Sequence, residues 1–416
     1  MGVNSNQYLQ GINQTTGTGV PSHSAVAGDR YTDTATGTTY QYTTSWQTVS
    51  YSAGGLTYFT EAQSTASPNA TVNVDSLTAV ASTTNADFVV KPKGTGAVIA
   101  AIPDNLTTGG NKRGANAVDL QTNRSGSGAA YVASGLASVL CGGADNRSTN
   151  IYSSVLGGNF NSATGQYSSQ LGGYSNTISG NFSSGGGATI NVSGTGSFAF
   201  GSANTVSSDY CAALGGGHTL SQQYCFAGNT GHNLSNFYST AFGSANNASG
   251  YANFMTGVNS KSFGVNMRQS IGGYQYTTAG DNQSSTLILS GRTTSETPKV
   301  LCSADPAFLA SPSAINQMTL QDNSMMRIKG SISGKQSGST NVGSWDFDCV
   351  IVRGANAGTT TIASSNVNLV VNTGTFGTPT ITANTTIGCL TVTVTGIATT
   401  NIQWQAILLT SEIIYA

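Results

Sequence analysis

YSSVLGGNFNSATG (Tyr152–Gly165), YSSQLGGYSNTISG (Tyr167–Gly180) and FSSGGGATINVSG (Phe182–Gly194) are followed by YCAALGGGHTLSQ (Tyr210–Gln222), YCFAGNTGHNLSN (Tyr224–Asn236) and YSTAFGSANNASG (Tyr238–Gly250). These are copies of one unit, and a fixed period of this kind decides the architecture before local propensity does. Tyr152, Tyr167 and Phe182 recur at fifteen residues, and Tyr210, Tyr224 and Tyr238 at fourteen. Gly157, Gly172, Gly187, Gly201, Gly215, Gly243 and Gly257 share a second column, interrupted by Asn229. Ala163, Ile178, Val192, Val206, Leu220, Leu234 and Ala248 form an aliphatic column, each followed by Ser or Thr.

A period of fourteen or fifteen residues is too short for a pair of helices but suits two short strands and two tight turns. That is one coil of a parallel β-solenoid. Stacked coils lie about 4.8 Å apart, so equivalent positions sit directly over one another. A charge repeated in a column would face its own kind. Accordingly, Asp209 is the only charged side chain between Ser148 and Ser260. The inward positions are mostly Ala, Val, Leu and Ser, a core too thin to stabilise one chain strongly. Neighbouring chains are expected to supply the missing burial, most economically around a threefold axis. The expected fold is therefore all-β, built on a trimeric parallel β-roll.

Outside the repeat, the whole chain of 416 residues is long enough for several domains. Charged residues make up only 7%, against about 25% in ordinary soluble proteins. The net charge of −1 and the absence of a basic stripe exclude nucleic acid as a partner. The opening MGVNSNQYLQGINQ has neither a basic leader nor an apolar run, and no stretch reaches eighteen apolar residues, so neither a secretion signal nor a membrane insertion is expected. Six cysteines spread over this length form no disulfide framework; Cys211 and Cys225, fourteen apart, read as two small residues in one column.

In residues 1–58, AGDRYTDTATGTTYQYTTSWQTVS places Tyr31, Tyr40, Tyr42 and Trp46 in alternation around a turn at Asp33 to Gly37, a β-hairpin signature suited to an attachment module. Residues 59–135 read as a β-rich lead-in with strands at ATVNVDSL, ADFVVKP and GAVIAAI, closed by a polar cap of Arg113, Asp119 and Arg124. The roll covers 136–265 and a connector 266–282. From 283 to 416 the texture changes to true alternation in MMRIKGSIS, WDFDCVIVRG, NVNLVV, CLTVTVTG and NIQWQAILLT. Short strands with Gly-rich turns predict a C-terminal antiparallel β-sandwich, jelly-roll-like, with Trp345, Phe347, Leu390, Val392, Val394, Ile402, Trp404 and Leu408 facing its core.

The repeat resembles the left-handed β-roll of trimeric autotransporter adhesin heads, and more closely the version found in bacteriophage tail fibres. NADFVVKPKGTGAVIA (Asn85–Ala100) and GGNKRGANAVDLQTNRSGSG (Gly109–Gly128) are similar to the lead-in sequences of such fibres. GDNQ, the strand with Trp345 and Arg353, LTVTVTG and IQWQAILLTSEI resemble a phage-fibre module, from which the chain departs in placing Asp346 and Asp348 together on one strand face. The resemblance implies a virion component assembled in the host cytoplasm. It would be a homotrimer that docks on other tail proteins through its N-terminus and binds a host surface glycan or outer-membrane receptor through the C-terminal domain. Its alternatives are a glycan-depolymerising tailspike and a fragment of a bacterial trimeric adhesin.

Candidate chemistry is sparse. Asp346 and Asp348 project to one face of a strand, as a hydrolytic carboxylate pair would, yet no aromatic or acid-rich cleft surrounds them in the sequence, and a solvated face is the expected reading. Gly330 to Gln336 imitates a phosphate loop but is one residue short and has Gln where Ser or Thr should hold magnesium. No cofactor and no enzymatic activity are expected. His218 and His232 stand fourteen apart in a column otherwise filled by Asn161, Asn176, Asn204 and Asn246, so on a threefold axis they would be candidates for a metal or an anion. Receptor contacts are expected in the loops 334–343, 354–358 and 374–377, with Lys335, Asn341, Arg353, Asn356 and Phe376 as candidate residues.

Overall fold

The computed structural model describes residues 7–9, 12–36, 38–48, 59–64, 74–80, 85–124, 128–303 and 310–415. Among them no helix is long and apolar enough to cross a membrane. The chain forms two compact units, Met1–Val90 and Lys91–Ala416.

In the first unit, Arg30–Asp33, Thr39–Tyr42 and Trp46–Thr48 form an antiparallel meander, and Ile12–Gly17 adds to Arg30–Asp33 in parallel. The alternating aromatics meet on one side: the Tyr31 and Trp46 rings are 6.1 Å apart and those of Tyr42 and Trp46 5.4 Å. Asp33 secures the turn by accepting from the Gly19 and Ala35 amides and the Thr36 hydroxyl. Residue 37 of the expected turn lies outside the described residues, as do residues 70–73 of ATVNVDSL; Val74–Ala79 pairs with Phe59–Ser64. ADFVVKP was expected to be a strand and is not one. Phe88, Val89 and Val90 stay exposed, and alternation yields a strand only where another element covers one face.

The second unit opens with the solenoid. Its parallel ladder begins at Val98–Ile99, which pairs with Val118–Asp119, then Val139–Leu140, then Ser154–Val155, and runs on to Gln269–Gly272. The ladder therefore starts inside the stretch read as lead-in and ends inside the stretch read as connector. A second, two-residue ladder on the opposite side of each coil runs from Arg147–Ser148 to Asn247–Ala248. The period shortens from fifteen to fourteen at an irregularity between Gln170 and Gly173, where Gln170 faces Gly185 but Gly173 faces Gly187.

Each coil sends four side chains inward, two of them usually apolar. Ile178, Val192, Val206, Leu220 and Leu234 fill one column, and Val155, Ala199, Ala213, Ala227, Ala241 and Met255 a second, all fully buried. The third column is Ser153, Ser168, Ser183, Ser197, Cys211, Cys225 and Ser239. Ser183 donates to the Gly194 carbonyl at 2.7 Å in the next coil; Cys211 and Cys225 make the same bond, at 3.0 and 3.2 Å, with their thiols.

The fourth column is an amide ladder. Asn161 Nδ2 donates to Gly157 O within its own coil and to Gly173 O in the next, while its Oδ1 accepts from the Asn176 amide. His218 and His232 occupy this column inside the coil, with rings stacked 5.0 Å apart. His218 Nδ1 accepts from the His232 amide and His232 Nδ1 from the Asn246 amide, so the proton sits on Nε2, which donates to the Leu214 and Gly228 carbonyls respectively. A neutral imidazole thus reproduces what Asn does elsewhere.

At its end the ladder does not stop. Gln269–Gly272 pairs in parallel with Phe254–Gly257 and antiparallel with Asn282–Thr293, the first strand of the C-terminal domain. That strand continues into a long sheet through Ile402–Ile414, Ser324–Gln336, Val342–Arg353 and Thr361–Asn372. A smaller antiparallel sheet, in which Cys389–Val394 pairs with Thr380–Asn384, Lys299–Val300 and Met318–Thr319, covers its inner face. The two sheets share one core, and all eight residues expected to face it are buried there. First and last strands are neighbours, as in a jelly roll, while the three long strands from Ser324 to Asn372 form a plain meander.

Where the last coil meets the sandwich, Arg268 lies fully buried against the equally buried Glu412, and Arg268 Nε donates to the Ser285 hydroxyl at 3.0 Å. Gln283 Nε2 donates to the same carboxylate at 2.9 Å. Removing one partner of such a pair strands the other charge, at a cost of about 3–5 kcal/mol. Glu412→Gln should therefore lower unfolding free energy by about that amount, read by chemical denaturation; a loss below about 1 kcal/mol would show that the junction does not depend on the pair.

Burial lowers the proton affinity of both His218 and His232. Protonation would also turn Nδ1 from acceptor into donor against a backbone amide. The stability held by the neutral rings is complete above the ordinary histidine value of about 6.5 and is lost as pH falls from there towards the lowered folded value. Between about pH 7 and pH 5 the melting temperature should fall more steeply for the parent than for His218→Asn/His232→Asn. Parallel slopes in thermal unfolding would count against this account.

Candidate functional site

The five candidate receptor residues are not brought together. Lys335 and Asn341 belong to the tip of the hairpin between Ser324–Gln336 and Val342–Arg353, where Asn341 Nδ2 donates to Gln336 Oε1 at 2.8 Å. The Lys335 ammonium donates to the Gln336 and Ser339 carbonyls. Arg353 and Asn356 lie at the other end of the twelve-residue strand, about 36 Å away. There Arg353 forms an ion pair with Asp322 at 2.6 Å and donates to the Leu320 carbonyl, so it serves the local turn. Phe376 is a core residue, 4% exposed, packed edge-on against Trp404 with ring centroids 5.5 Å apart. Asn372 sets this turn by accepting from the Phe376 amide and donating to its carbonyl, which directs the ring inward. Flanking glycines make such a residue read as an exposed loop tip.

What does gather near Lys335 is a groove of about 530 Å³ across the outward face of the long sheet. Ser290, Gln405, Ser333 and Ser344 stand side by side on four neighbouring strands and form its floor. Alongside them runs a row of Arg292, Gln403, Lys335 and Val342, and on the other side one of Ile288, Ile407, Ser331 and Asp346. Small hydroxyls between longer side chains make the depression. Beneath it, Gly334 and Gly343 let the core rings approach the backbone: a Cβ at Gly334 would collide with Trp404, and one at Gly343 with Trp345 and Phe376. The Ser333 and Ser344 hydroxyls are 3.3 Å apart. Arg292, Gln403 and Gln405 are exposed and have no side-chain hydrogen bond among the described residues.

The expected contact loop 334–343 supplies Gly334, Lys335, Val342 and Gly343 to this groove, whereas Ser290, Gln403 and Gln405 lie outside every expected loop. Alternation in NIQWQAILLT, which turns Ile402 and Trp404 inward, also turns Gln403 and Gln405 outward. Arg292 carried no such signal, because the strand Asn282–Thr293 was not recognised.

Asp346 and Asp348 do share the outward face, as their spacing implied. Asp348 is bound by Arg327, Nε to Oδ1 at 3.2 Å and Nη2 to Oδ2 at 2.7 Å, and these bonds hold its carboxyl below the usual carboxylate range. Held ionised, Asp348 is suited to the base or nucleophile role of such a pair and not to the proton-donor role. His218 and His232 lie enclosed in the coil with both ring nitrogens engaged by the backbone, which leaves no lone pair for a metal. Among the described residues, no group of three or more His, Cys, Asp or Glu is placed to hold a metal ion.

Arg113, Asp119 and Arg124 do cluster, with Arg113 Nε 2.6 Å and Arg124 Nη2 3.2 Å from Asp119 Oδ2, all buried. Asp119 occupies the inward column continued by Leu140 and Val155, so the trio plugs the second rung from within.

No family model matches the chain, and no curated protein matches it. Among solved structures, the chain is similar at 7% identity and a TM-score of 0.22 to a tailspike protein, gp49, of the Acinetobacter baumannii bacteriophage Fri1, a capsular polysaccharide depolymerase, over 71% of this chain and 67% of that one.

Proposed function

We propose that the protein is a non-enzymatic, homotrimeric component of a phage tail fibre that attaches the particle to a glycan on the host surface, with the solenoid as shaft and the sandwich as the contact domain. One observation carries this reading. Leu156, Leu171, Gly186, Phe200, Leu214, Gly228, Phe242, Thr256 and Ile271 form a single outward column of the long ladder, about 38 Å long. Phe198, Phe226 and Phe254 stand in the column beside it. Leu171 is 52% exposed and Ile271 63%, with no charged side chain in either column. An apolar stripe of this extent marks an interaction surface. Its occupant is argued from repetition: a surface whose columns repeat at the ladder spacing of about 4.8 Å is matched in spacing by a second copy of itself, and closed symmetry needs no other partner. Three copies around the axis would then leave the sandwich to meet the host.

The native mass of the full chain tests this reading. Three times the 42.3 kDa chain mass is expected, and Phe200→Ser/Leu214→Ser should shift the population towards smaller species with the solenoid still folded. A parent that sediments as one chain overturns the reading. Release of reducing ends from host polysaccharide would overturn its non-enzymatic part.

A further inference from the structure

The groove around Gln405 carries the inference, which rests on the attachment reading and gives the bound glycan a chemical class. We propose that the groove takes an acidic polysaccharide strand lying across the sheet, with its carboxylates against Arg292 and Lys335.

Both cations stand in the row beside the floor, on either side of Gln403. Two strand spacings separate them, about 9.6 Å, on the order of a disaccharide unit. No carboxylate faces the floor from the first three strands; the nearest is Asp346 on the fourth, and Arg327, Lys329 and Asp348 lie in rows further along the strands. Arg292, Gln403 and Gln405 are uncommitted, so binding breaks no internal hydrogen bond at these groups. Lys335 is tethered by two turn carbonyls, which holds its charge at the groove instead of letting it sweep through solvent. Opposite the cations, Ile288 is 44% exposed beside Ile407 and offers an apolar edge to the C–H face of a sugar ring.

The groove is also separate from the apolar stripe. Gln269, which ends the column of Phe226 and Phe254, pairs with Thr286, and Ser290 lies four residues further along that strand, about 13 Å away.

Binding of the full chain to polygalacturonate and polysialate, with dextran as the neutral control, tests the proposal by calorimetry. At least tenfold tighter binding of an acidic polymer is expected, weakening as salt rises from about 50 mM to about 500 mM. Arg292→Gln/Lys335→Gln should reduce it about tenfold at unchanged native mass, and Ser333→Trp, which fills the floor, should abolish it. Equal binding of dextran, with loss on Ser333→Trp, overturns the acidic preference and leaves glycan attachment standing. Acidic binding that survives Ser333→Trp overturns the groove. Failure of all three polymers to bind, while labelled protein still adsorbs to host cells, overturns the glycan reading itself.

Discussion

Every side chain in the shaft is constrained by the register of the ladder, which sets each residue over its equivalent one coil away at about 4.8 Å. Like must tolerate like at that distance. Charges cannot, whereas amides can, because Asn carries both donors and an acceptor: Asn176 Nδ2 donates to Asn161 Oδ1 in the coil before and to the Gly187 carbonyl in the coil after. Rings can as well: Tyr210, Tyr224 and Tyr238 stack with planes 4–7° apart, although each takes the left-handed backbone that favours glycine. The near absence of charge between Ser148 and Ser260 is thus a consequence of stacking.

A ladder has two open ends, and both are closed with buried charge. At the first, two arginines and the Gln121 backbone amide hold Asp119; at the second, Arg268 fills the interior and its partner carboxylate comes from the last long strand of the chain. Glu412 lies 144 residues beyond Arg268, so the final coil is complete only when the C-terminal strand is in place. Shaft and sandwich are one continuous sheet whose strands lengthen from four residues in Gln269–Gly272 to twelve or thirteen beyond it. That lengthening creates the overhang on which the groove lies.

The coil could be read from the sequence because its period is local: each residue's neighbour in the ladder is the residue fourteen or fifteen positions away. The sandwich core was legible for a related reason, since alternation within one strand sorts Trp345 and Phe347 inward without knowledge of the partner. Where partners are distant, the sequence is silent. The groove exists because Ser290 stands beside Gln405, a pairing across more than a hundred residues. Phe376 misled because its side is set by hydrogen bonds to Asn372, and His218 and His232 because chemistry was read into residues that replace Asn in a structural role.

Recognition of a heterogeneous partner needs a surface whose rows differ from strand to strand. The shaft offers little of this, because stacking selects for repetition and its two outward columns carry no charged side chain along their length. Such a surface suits another repetitive surface, above all its own copy. In the long sheet the rule of like on like lapses, since neighbouring strands come from remote parts of the sequence and run antiparallel. Arg292, Gln403, Lys335 and Val342 can then stand in one row, as no coil of the shaft would allow. Specific chemistry is therefore expected where the period ends, on the overhanging half of the sandwich, and self-association where it persists.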